Sequence, residues 1–159
     1  MNEFPIKEYS TFDPRFNKTN FSLHFKTQSN EMLRPLADTF LDENGRKIIP
    51  TNIAEYLTHR SLAFWIMDDG QQVKRGGVTL CTDSFNHNEV SILREALKTK
   101  FDIDTNVHLK KGKNDALYER IYITKGSFEI VKPSLLEHTH ESMFYKLHIT
   151  DNVSVLNAY

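Results

Sequence analysis

The chain has 159 residues and a single cysteine, Cys81. That excludes a disulfide framework and any zinc site built on several thiolates. A lone thiol agrees with a reducing compartment. No run of about 18 apolar residues occurs, so the sequence offers no membrane-spanning helix. Neither sign of charge dominates: 20 Lys and Arg stand against 21 Asp and Glu, for a net charge of -1. The strongly basic balance of many nucleic-acid binders is missing, so any such contact has to come from a local patch. Glycine and proline are sparse, at 6 and 5. There is no low-complexity tract and no internal repeat. The N-terminal Met-Asn-Glu-Phe-Pro-Ile-Lys-Glu lacks the apolar core of a signal peptide and the Arg-rich character of a transit peptide. The expectation is a protein that works in the cytosol or in the compartment that makes it. The length suits one domain, or one domain with part of another.

What is present is a run of alternating and helical patterns. Residues 1–19 are polar, with Pro5 and Pro14 and no clean period, and read as loop or arm. Phe21 to Phe25 alternates as a strand does. Asn30 is placed to cap a helix over Glu31 to Phe40, with Leu33, Leu36, Ala37 and Phe40 on one face. A short segment covers Ile53 to Leu57, and a helix follows from about Thr58 to Asp69. Gln71 to Thr82 predicts a hairpin turning at Gly76-Gly77. Asn86 with Glu89 forms a capping-box pattern that opens a helix carrying Val90, Leu93, Ala96, Leu97 and Phe101 inward. Thr105 to Lys111 and Leu117 to Ile123 alternate and predict a second hairpin. Phe128 to Leu136 predicts a short helix interrupted by Pro133, and the tail beyond Leu147 is expected to be poorly ordered. The order from Thr58 on is α, β, β, α, β, β, α. It predicts an α+β fold with a four-stranded antiparallel sheet, helices on one face and the other face free. Asn106, His108, Lys110, Tyr118, Arg120 and Tyr122 fall on that free face, a polar, aromatic and basic set suited to a nucleic-acid groove.

The helix from Thr58 ends unusually. Leu62-Ala63-Phe64-Trp65-Ile66-Met67 is apolar, then come Asp68, Asp69 and Gly70. A helix C-terminus is partially negative, so two carboxylates there are disfavoured by several tenths of a kcal/mol each (about 0.3–1). A cation is expected to offset them, and a hard divalent ion with oxygen ligands is the natural candidate. Gly70 suits a cap with positive φ. The seven histidines show no ligand spacing. Cys81 reads as a small buried hydrophobe, and Phe64 and Trp65 as packing groups.

Leu62 to Gly70 resembles the signature helix of the LAGLIDADG homing endonucleases, in the subgroup encoded by organellar group I introns. Further segments follow in the family's order: Lys47-Ile48-Ile49-Pro50, Tyr56-Leu57-Thr58, Thr82-Asp83-Ser84-Phe85, Ile121-Tyr122-Ile123, Val131-Lys132-Pro133 and Met143-Phe144-Tyr145-Lys146-Leu147. The match is to the C-terminal half of two-motif, single-chain members. It implies a LAGLIDADG-type αββαββα half-domain at 58–148. Before it stand an arm and a remnant strand and helix of an upstream half (1–57); a flexible tail follows (149–159).

The resemblance also implies a site. Asp69 would ligate Mg²⁺, with Lys47 and Lys146 as the basic catalytic residues. Asp68 lies about 100° round the helix from Asp69, so it and Gly70 would support the site as capping acid and cap glycine. Lys74, Arg75, His108, Lys110, Lys111, Lys113, Arg120 and Tyr122 are the candidate nucleic-acid contacts. The implied activity is site-specific, Mg-dependent hydrolysis of DNA phosphodiesters at a long recognition site. The alternative is a cleavage-inactive relative acting as an RNA maturase. The implied partners are double-stranded DNA, intron RNA in the maturase case, and a homodimer mate or second LAGLIDADG polypeptide carrying the other acidic-ended helix. No membrane is involved. The implied location is organellar, the mitochondrion ahead of the chloroplast.

Overall fold

The computed structural model describes residues 6–26, 28–112 and 115–149. The chain runs through β1 (Lys7–Asp13), β2 (Lys18–His24), a 3-10 turn (Glu31–Leu33), α1 (Arg34–Phe40), α2 (Ile53–Tyr56), α3 (His59–Asp69), β3 (Gly70–Gln72) and β4 (Val78–Leu80). It continues through α4 (His87–Phe101), β5 (Thr105–Lys111), β6 (Leu117–Ile123), α5 (Lys125–Leu136) and a 3-10 segment at Glu141–Leu147. Contacts cluster in two units, Met1–Asp38 and Thr39–Tyr159.

In the first unit β1 and β2 form an antiparallel ladder from Lys7↔His24 to Asp13↔Lys18. The expectation of a loop over residues 1–19 is therefore corrected. Polar residues fill most of β1, which hid its period. Paired with β2, its two faces separate: Ser10, Phe12 and Phe21 share one, Tyr9, Thr11 and Ser22 the other. The turn is built by Asp13, whose carboxylate accepts from the backbone N–H and the guanidinium of Arg15, and by Asn17 at φ 47°.

In the second unit the four-stranded sheet has the order β3-β4-β6-β5, every neighbour antiparallel. This is the expected α+β half-domain. Val78, Leu80, Ile121 and Ile123 are fully buried on one sheet face. They join Leu62, Ala63 and Ile66 of α3, Val90, Leu93 and Leu97 of α4, and Phe128, Val131 and Leu135 of α5 in one core. Each such large side chain contributes about 1.5–3 kcal/mol. Capping boxes fix where the helices begin. Thr58 accepts from the Ser61 N–H while the Ser61 hydroxyl accepts from the Thr58 N–H. Asn86 and Glu89 pair in the same way at α4. Glu89 also accepts from the N–H of Ile49 at 3.2 Å, tying the segment before α2 to the start of α4.

Two local expectations change. Gly70 has φ -72° and ψ 136°, extended rather than left-handed. Glycine is needed there for space, because a Cβ would collide with the Ile66 carbonyl. The turn glycines Gly76 and Gly77 do take positive φ, at 104° and 76°. The last helix starts at Lys125, capped by Thr124, and runs unbroken past Pro133 to Leu136. Pro133 removes one N–H from the ladder, and the buried Val131 and Leu135 on either side anchor the helix across that gap. Of the expected flexible tail, only residue 149 falls within the described residues.

Candidate nucleic-acid interface and acidic helix end

The acidic end of α3 is stitched to the sheet. The carbonyl of Asp69 accepts from the Cys81 N–H at 3.1 Å, one step beyond the Gly70↔Leu80 pair. Asp68 and Asp69 are both exposed. Among the described residues the Asp69 carboxylate has no hydrogen bond or ion pair. The offset expected at this negative terminus comes in part from the chain itself. Lys146, in the Glu141–Leu147 segment, donates from Nζ to the carbonyl of Met67 and, at 3.3 Å, to that of Asp68. Lys146 thus lies at the end of the acidic helix. Lys47 is exposed in an isolated bridge with Leu41. Among the described residues no hydrogen bond or ion pair links it to Asp69.

The free sheet face has the expected composition. Asn106↔Tyr122, His108↔Arg120 and Lys110↔Tyr118 are paired positions on one side of β5 and β6. The His108 ring stacks on Tyr122, with centroids 4.8 Å apart and planes 12° apart. The Tyr122 hydroxyl donates to the Gly76 carbonyl at 3.0 Å, which holds the ring against the first turn. Lys74 and Arg75 are exposed in that turn, and Lys110 is exposed on β5. Lys111 is paired with Asp115 at 2.7 Å. Lys113 lies outside the described residues.

Arg120 differs from a free phosphate-binding cation. It is 8% exposed. Its Nε donates to Asp83 at 2.6 Å, its Nη2 to the other Asp83 oxygen, and its Nη1 to Gln71 Oε1 at 3.0 Å. This fork holds the Asp83 carboxyl below the usual carboxylate range. Burial pushes the neighbouring Cys81 thiol up, against the pull of Arg120. Cys81 is half-buried rather than fully enclosed. Gln71, Cys81 and Asp83 were not singled out from the sequence as parts of this face. The alternation of β3 and β4, with Gly70, Val78 and Leu80 inward, puts Gln71 and Thr79 outward.

The family model described as the LAGLIDADG DNA endonuclease family matches residues 2–131. The chain belongs to that family. Among LAGLIDADG relatives, DNA endonuclease I-ChuI of Chlamydomonas applanata is 32% identical over 142 residues, 82% of this chain and 65% of the relative. Cytochrome b mRNA maturase bI2 of Debaryomyces hansenii is 36% identical over 104 residues, 65% of this chain and 38% of the relative. Intron-encoded endonuclease ai4 of Dictyostelium discoideum is 32% identical over 125 residues, covering 79% and 76% of the two chains. The solved structure of the homing endonuclease I-WcaI bound to its DNA recognition sequence superposes with a TM-score of 0.75 at 28% identity. The match covers 92% of this chain and 65% of that one. The chain thus spans under two thirds of the first of these endonucleases and of I-WcaI, and far less of the maturase.

An exposed, unpaired carboxylate is a hard oxygen donor and fits one ligand of a divalent-ion site. Among the described residues no three His, Cys, Asp or Glu side chains gather in a metal-ligating group.

Proposed function

We propose that this chain is half of a site-specific, homing-type DNA endonuclease that hydrolyses phosphodiesters with Mg²⁺. The observation that carries the reading is the free Asp69 carboxylate at the tip of α3, on a residue whose backbone carbonyl accepts from the Cys81 N–H beside a polar sheet face. The DNA-bound neighbour and the relatives named as DNA endonucleases support it.

Asp69 would hold the metal ion. When bound, Mg²⁺ supplies Lewis-acid activation of a water and stabilisation of the leaving 3′ oxygen. Lys146, on the Met67 and Asp68 carbonyls, would neutralise the α3 terminus beside Asp69, and exposed Lys47 would be a cation for the phosphate backbone. His108, Lys110 and Tyr122 would face the bases, with Lys74, Arg75, Lys111 and Lys113 toward phosphates. One aspartate makes half a site, so the reading requires a second acidic-ended helix, from a second copy or another LAGLIDADG polypeptide. Phe64, 56% exposed on α3, is an apolar group such a helix would cover. Kinship with intron-encoded endonucleases and a cytochrome b mRNA maturase supports an organellar setting, the mitochondrion ahead of the chloroplast.

The test is cleavage of a plasmid library of random target sites in Mg²⁺, with and without a polypeptide carrying an upstream acidic-ended helix. The native chain is compared with Asp69→Asn. Cutting by the native chain in one pairing, lost in the variant, is the expected result. No cutting in any pairing overturns the nuclease reading.

The second reading is an RNA maturase without cleavage, favoured by the 36% identity to the cytochrome b mRNA maturase. It predicts intron-RNA binding that Asp69→Asn leaves intact.

A further inference from the structure

The free sheet face contains one polar side chain whose orientation is imposed by a buried charge. Gln71 is exposed, two residues beyond Asp69 and about 7 Å along the strand. Its Oε1 accepts from Arg120 Nη1 at 3.0 Å. A guanidinium only donates, so the amide cannot flip without setting its NH₂ against N–H groups. Arg120 cannot swing away either, since it is 8% exposed and both other arms of its fork are taken by Asp83. Leaving Asp83 would strand a buried charge. The Nε2 end of Gln71 is therefore held away from Arg120.

We propose that Gln71 is a specificity-determining residue that presents a fixed hydrogen-bond donor to a base edge, and that Arg120 and Asp83 are its positioning residues. The proposal rests on the nucleic-acid reading above. In the major groove guanine offers acceptors at N7 and O6, whereas cytosine offers the N4 donor. Adenine N7 and thymine O4 also accept, but guanine alone presents two acceptors and no donor there, so a donor held in place rejects cytosine and favours guanine. Gln71→Glu keeps the shape and one oxygen on Arg120 but replaces the outward NH₂ by an acceptor oxygen, which rejects guanine and favours cytosine, whose N4 donor has no acceptor beside it as adenine N6 has in N7.

The experiment is selection of duplexes from a random-sequence library at fixed salt, by the native chain and by Gln71→Glu, with arginine-side-chain ¹⁵N spectra of both the native chain and Asp83→Asn. The expected result is one position where guanine is enriched about tenfold by the native chain and cytosine by Gln71→Glu. Arg120 guanidinium protons should exchange slowly in the native chain and fast in Asp83→Asn. Enriched sequences identical in native and variant overturn the proposal and leave nucleic-acid binding standing. Fast exchange of Arg120 in the native chain overturns it whatever the DNA result. No enrichment by the native chain, either alone or paired with a polypeptide carrying the second acidic-ended helix, overturns the nucleic-acid reading, and this proposal with it.

Discussion

Lys146 crosses from the C-terminal 3-10 segment to the end of α3, where its ammonium binds the carbonyls of Met67 and Asp68. It links residues 79 and 78 positions apart in the chain. A positive group on the last carbonyls of a helix offsets the macrodipole and the two carboxylates that follow. It also ties Glu141–Leu147 to the acidic tip, with Leu147 fully buried beside it.

Lys146→Met should therefore destabilise the fold by about 1–2 kcal/mol, from one charge-assisted hydrogen bond and the lost dipole interaction. Urea unfolding measures it. Lys146→Arg should recover part of the loss, since the charge is kept. Unchanged stability in Lys146→Met would show that the contact contributes nothing.

Gly70→Ala should cost about 1–3 kcal/mol, because the new methyl meets the Ile66 carbonyl and side chain in a fully packed turn. The backbone angles at Gly70 suit any residue, so this cost is steric. Thermal unfolding of Gly70→Ala beside native protein checks it, and an unshifted midpoint would contradict the packing described.

The Asp83–Arg120 fork sets an acid-side stability slope. The Asp83 carboxyl titrates below its ordinary value in the folded chain, chiefly because Arg120 hydrogen-bonds the ionised form. A depressed folded pKa gives stabilisation that is complete above the unfolded value, about 3.9. It is lost as pH falls through the folded value. Asp83→Asn should flatten that part of the curve. Denaturant titrations from neutral pH down to pH 3 measure it; parallel curves for native and variant would contradict the fork.

The half-domain was legible in the sequence because its patterns are local. Thr105 to Lys111 and Leu117 to Ile123 alternate over their full lengths, and both strands match the structure residue for residue. Asn86 with Glu89 marks the start of α4. β1 was hidden because its faces separate only against β2. The Arg120 fork was hidden for a similar reason: Gln71, Asp83 and Arg120 are 49 and 37 positions apart, and alternation puts Arg120 on the free face without revealing its partners. Lys146 was named through family resemblance as a basic catalytic residue; its contact with the α3 carbonyls was not legible, since a lone lysine in a C-terminal segment carries no local signal. Gly70 was placed correctly as the residue after the helix, but for a conformation it does not adopt.

The most direct measurement of the central claim is strand scission in Mg²⁺ by the chain paired with a polypeptide that supplies the second acidic-ended helix. Native protein should cut, and Asp69→Asn should bind the same duplex and leave both strands whole. Scission that persists in Asp69→Asn would contradict the assignment of Asp69 as the metal-bearing carboxylate.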